Sequence, residues 1–145
     1  HYDFLLAASD NFGDIGLEHL QSSEDGVSAG YFTEWDARAE ERDLLAHELA
    51  HAWNGKARRP ADLWTPNFNV PMQNSLLWVY EGMTEFWGDV LATRSGLWSE
   101  AFAHDALAQA AATFQFARAG RRWRSLQDTT NQPIVRYRAT PSFAS

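Results

Sequence analysis

The segment His47-Glu48-Leu49-Ala50-His51 constrains this chain more than any other. Four residues advance a helix by about 400°, so two imidazoles at i and i+4 stand about 40° apart on one face. Such a pair can grip one zinc ion. Glu48 points about 100° further round, badly placed as a ligand but well placed to hold a water beside the metal. In a chain with 5 His the pattern has roughly one chance in a hundred of arising by accident, so its surroundings must carry the rest of the argument.

Those surroundings favour a helix. Thr33 to Asn54 reads as one helical stretch, with Thr33 and Asp36 as candidate caps, acidic residues in the first turns and Gly55 as its stop. Upstream, His1–Ser9 alternates as a strand and Leu17–Ser22 as a second short one, while Ser9–Gly16 and Ser23–Gly30 read as loop and turn. Downstream, Lys56–Asn74 holds Pro60, Pro66 and Pro71 with no period, the mark of a long loop. Ser75–Ser95 is helical again, and Ser99 caps a third helix to Arg118 that Gly120 closes. The tail Ser125–Ser145 carries no firm pattern. The fold class is therefore α+β, short strands first and a mainly helical part after.

A catalytic zinc needs a third protein ligand and an open position. The chain has no Cys, so the ligand must be His, Asp or Glu. Glu81 fits best: it sits on the next expected helix among Trp78, Val79 and Tyr80, where an unpaired carboxylate is costly and a metal would compensate it. Glu85 and Asp89 follow one and two turns later, and either can accept a hydrogen bond from a ligand histidine.

Composition limits the function classes. At 145 residues and 45% hydrophobic, the chain suits a single domain with a sizeable core. A net charge of −7 argues against a nucleic-acid partner. No apolar run reaches about 18 residues, so no transmembrane helix is expected. Compartment and oligomeric state are left open.

Three segments together resemble one family, the glycyl aminopeptidases, zinc peptidases with thermolysin-like catalytic domains. The first is His47-Glu48-Leu49-Ala50-His51-Ala52-Trp53-Asn54-Gly55-Lys56 with Arg59-Pro60; the second is Leu77-Trp78-Val79-Tyr80-Glu81-Gly82-Met83-Thr84; the third is Gly16-Leu17-Glu18-His19. Weaker similarity continues through Gly120-Arg121 and Leu126-Gln127-Asp128. Ile15 departs from the pattern, which often has Gly there.

The resemblance implies a thermolysin-like zincin domain over residues 1–145, cut from a longer multidomain protein. It implies Zn2+ on His47, His51 and Glu81, Glu48 as general base, and Glu18 as the anchor for a substrate's free α-amino group. Substrates would be peptides with a free N-terminus and small first residues, Gly or Ala. It also implies an oxyanion-stabilising tyrosine beyond residue 145, and Tyr137 is not assigned that role. Two other readings remain: a thermolysin-type endopeptidase, which shares the zinc site without an amine anchor, and a zinc-binding scaffold without turnover.

Overall fold

The computed structural model describes residues 1–12 and 15–131. Gly13 and Asp14 of the expected loop, and Tyr137 with the tail from residue 132, lie outside the described residues, as do the side chains of Ala119 and Arg121. The architecture is α+β: three short strands, then helices.

Strands β1 (Asp3–Ala8), β2 (Ile15–Glu18) and β3 (Ser22–Val27) form one sheet in the order β1-β3-β2. β1 runs parallel to β3, and β2 pairs antiparallel to it with Gly16 opposite Asp25. The central strand is the one the sequence hides. Ser23–Gly30 reads as a turn because it is polar, yet Ser23 and Asp25 are buried beside Val27. They are tolerable there because Ser23 Oγ donates to Asp25 Oδ2 at 2.8 Å, meeting part of the hydrogen-bonding demand that burial creates.

The expected helix from Thr33 to Asn54 is broken in two. A 3-10 stretch spans Trp35–Glu41, with non-helical backbone at Arg38, and α1 spans Leu44–His51. Tertiary partners take the carbonyls that a continuous helix needs. Arg42 stacks over the Trp35 ring at 4.0 Å and donates to the Trp35 carbonyl, while Trp98 Nε1 donates to the Ala39 carbonyl at 2.6 Å.

The second helical stretch also divides, into α2 (Leu77–Tyr80) and α3 (Gly82–Ser95), with Glu81 at the junction. Gly96 ends α3 in the left-handed region at φ 83, where a side chain would be strained. Ser99 caps α4 (Glu100–Ala112) by accepting from the Phe102 N–H. That helix stops earlier than expected, passing into a π-helical turn at Thr113–Ala117. A short α5 (Leu126–Thr130) follows, capped by Ser125.

α1 is wedged between the sheet and α3. Gly88 makes the α1–α3 crossing close, since a Cβ there would lie 3.1 Å from the His47 Cα. Ala46, Ala92 and Trp98 form the core on that side, with Leu91, Leu97 and Phe102 packed around them. The proline-rich segment between α1 and α2 is long, as expected, but pinned at its neck: Asp62 accepts from the Ser75 N–H at 3.0 Å and from the Ser75 hydroxyl, and its carbonyl accepts from the Gln73 N–H at 2.9 Å. No helix among the described residues is long and apolar enough to cross a membrane.

Candidate metal centre

His47 and His51 project from consecutive turns of α1, and their Nε2 atoms lie 3.1 Å apart. Glu81 joins them from the α2–α3 junction, its Oε2 at 3.7 Å from His47 Nε2 and 3.4 Å from His51 Nε2. The residue expected as a third partner is thus brought to the histidine pair across a gap of 30 positions. Its place is secured by the segment just after α1. Asn54 Nδ2 donates to the carbonyls of Val79 (2.8 Å) and Tyr80 (3.2 Å) and to Thr84 Oγ1 (2.8 Å), tying the end of α1 to both helices that flank Glu81.

The outer ring nitrogens fix the tautomers. His47 Nδ1 lies 3.0 Å from Glu85 Oε2, and His51 Nδ1 lies 3.1 Å from the Asn54 carbonyl. Both oxygens accept, so both Nδ1 atoms carry hydrogen and each Nε2 is left facing the other ring and Glu81. A zinc ion would take the place of the proton that His47 holds there and use both Nε2 lone pairs. Donors held at 2.0–2.1 Å by one tetrahedral zinc lie roughly 3.3–3.4 Å apart, close to the separations found. The donor set therefore fits a zinc ion. Asp89, the other residue considered for orienting a histidine, instead groups with Asp43 and Glu85, their carboxylate oxygens within 4.8 Å of one another.

The electrostatics agree with a cation-seeking centre. Burial works against charge on His47, but hydrogen bonds to Glu81 and Glu85 outweigh it and raise its pKa to about 10. Burial likewise opposes charge on Glu81, and the two histidines overcome it, holding its pKa down to about 2. Glu48 is different. It is 4% exposed, its Oε2 is buried with no hydrogen-bond partner, and burial pushes its pKa up to about 7.

Glu18, at the end of β2, is already engaged. Lys56 Nζ lies 3.1 Å from its Oε1, and the Tyr80 hydroxyl donates to the same oxygen. Burial opposes its charge, but those hydrogen bonds prevail and keep it below the usual glutamate range. The Tyr80 ring also lies 4.8 Å from the His51 ring, so one tyrosine bridges Glu18 and the histidine pair. Lys56 and Asn54 sit in the Trp53-Asn54-Gly55-Lys56 segment, which marks them in the sequence. Tyr80 carries no such signal beyond being next to Glu81, and its role emerges only in three dimensions.

Two histidines, a convergent carboxylate and a second, buried carboxylate on an α+β frame make up the donor chemistry of a hydrolase. Residues 40–144 match the family model described as M61 glycyl aminopeptidase. The chain belongs to that peptidase family, whose substrates are peptides. Among curated proteins, none matches the chain.

Proposed function

We propose that this chain is the catalytic domain of a zinc-dependent aminopeptidase, on a thermolysin-like frame and part of a longer protein. One observation carries the reading: His47, His51 and Glu81 converge on one point, and Glu48, on α1 between the two histidines and within their electrostatic reach, is buried with its Oε2 unpartnered. His47, His51 and Glu81 would hold zinc, which when bound supplies Lewis acidity for the substrate carbonyl and for water.

The other steps belong to the chain's own residues. Glu48 accepts a proton from the attacking water and returns it to the leaving amine, and its buried Oε2, free of any hydrogen-bond partner, is available to do both. Glu85 and the Asn54 carbonyl hold the two imidazoles in the tautomer that frees Nε2. Glu18 offers its negative charge to the substrate's α-amino group, which limits cleavage to one residue from the end. Lys56 must then share or yield that carboxylate. Small first residues, Gly or Ala, are the substrates that family membership supports.

A zinc endopeptidase is the second reading, favoured by the Lys56–Glu18 ion pair, since a carboxylate already matched by a cation has less to offer an amine. The test measures zinc content and then compares a glycyl peptide with its N-acetylated form. An aminopeptidase cleaves the free peptide alone. Equal cleavage of both leaves the endopeptidase, and no cleavage of either by zinc-loaded protein removes both readings.

A further inference from the structure

At the other end of β2 from Glu18, a cleft of about 380 Å³ opens between β2, β3 and the first turns of α1. Its walls are of two kinds. Val27 and Leu44 line it with hydrocarbon, and Glu40, Asp43 and Glu85 add carboxylates. Glu41 also borders it but is matched by Arg38 at 2.8 Å and by the Ser28 hydroxyl. His47 is the one basic residue lining it among the described residues. The buried Glu48, whose Oε2 has no partner, opens onto the same space.

We propose that this cleft is a subsite for a lysine or arginine side chain of the substrate, on the leaving side of the bond that is cut. A long basic side chain is apolar along its stem and charged at its head, so it can lie on Val27 and Leu44 and bring its cation to Glu40 and Asp43. A bare divalent cation fits less well, because it asks for a shell of oxygen ligands and meets hydrocarbon on one side.

The direction follows from the fold. Glu18 contacts Lys56, which follows the C-terminal end of α1, and Tyr80, whereas the cleft is lined by Glu40, Glu41 and Asp43 just before α1 and by its first turns. Ile15 and Glu18 lie about 10 Å apart along β2, roughly three residues of extended peptide. A peptide with its amine at Glu18 therefore passes Glu48 and enters the cleft with a residue that follows the cut. The inference rests on the peptidase reading, and its direction on Glu18 as the amine anchor.

The test uses zinc-loaded protein at low salt and a pair of dipeptide amides with a reduced, uncleavable bond, glycyl-lysine and glycyl-norleucine. Calorimetry should show the lysine form binding about tenfold more tightly. That margin should shrink in Asp43→Asn and in Glu40→Gln, and at high salt. Equal affinity for the two forms, or a margin that neither substitution changes, overturns the subsite. Hydrolysis of the ordinary peptides is scored separately. A lysine margin without hydrolysis removes the peptidase reading and leaves a site for a basic side chain with no leaving side to belong to, which overturns the subsite as stated; hydrolysis without the margin keeps the peptidase reading and overturns the subsite.

Discussion

The Glu48 carboxylate occupies the space where a side chain on Gly16 would begin. A Cβ at Gly16 would lie 1.8 Å from Glu48 Oε1 and 3.0 Å from Leu44 Cδ1. The strand thus sets where the buried carboxylate can point, from 32 positions upstream of it. Gly16→Ala should leave the fold and zinc binding intact, because the clash falls on the free end of a flexible side chain. It should lower kcat by about 10²-fold, the usual effect of misplacing a reacting group by about 1 Å. Unchanged kcat in the folded, zinc-loaded variant would show that Glu48 is not the base.

Glu48 and Glu81 should fail in opposite ways. Glu48→Gln should keep zinc and lose turnover by about 10²–10⁴-fold, since the amide still hydrogen-bonds but accepts no proton. Glu81→Ala should lose zinc itself, leaving two histidines and no third ligand. Elemental analysis beside activity separates the two. Stoichiometric zinc in Glu81→Ala rules that residue out as a ligand.

Asn54 is the hinge pin between α1 and Glu81. Its amide donates to three acceptors at 2.8–3.2 Å, two of them backbone carbonyls of Val79 and Tyr80. Asn54→Ala should cost roughly 1–3 kcal/mol of folding stability through the partners left unpaired. Because Tyr80 leads directly into Glu81, zinc should also bind more weakly. Chemical denaturation and a chelator competition read the two effects, and a variant as stable as the parent with unaltered zinc affinity contradicts this role.

Asp25 gives the fold a pH dependence. It is 2% exposed, its Oδ1 has no hydrogen-bond partner, and burial raises its pKa above 3.8 despite the Ser23 hydrogen bond. A carboxyl raised in the folded state favours folding while protonated. That contribution is full below the unfolded value and is lost as pH rises through the folded one. Asp25→Asn keeps an acceptor for Ser23 and removes the buried charge. It should stabilise the protein at pH 7, with the gain fading as pH falls toward 3.8. A gain that is the same at both ends of that range argues against Asp25 as its source.

The sequence makes the histidine pair and Glu81 legible for a physical reason. Helical spacing puts His47 and His51 on one face whatever surrounds them, and a carboxylate among Trp78, Val79 and Tyr80 advertises its need for a partner. The break at Arg38 is not legible, because it depends on Arg42 and Trp98 reaching carbonyls of Trp35 and Ala39. β3 escapes notice because its buried face is polar, and polarity is what marks a turn. Glu18 shows the same limit at the site. Its position on a strand is readable, but Lys56 and Tyr80 reach it from 38 and 62 positions away.

The sheet order places β2 at a rim, where no other strand among the described residues pairs with its outer side. Ile15 and Leu17 stand largely exposed along that rim. Open backbone beside exposed apolar side chains is a template for another chain to join, including a copy of the same protein. Two features restrain this. β2 is only four residues long, and it ends in the ionised Glu18. Neutralising that end with Glu18→Gln would therefore touch colloidal behaviour as well as substrate handling, and a soluble preparation of that variant would need its aggregation state checked before its kinetics are read.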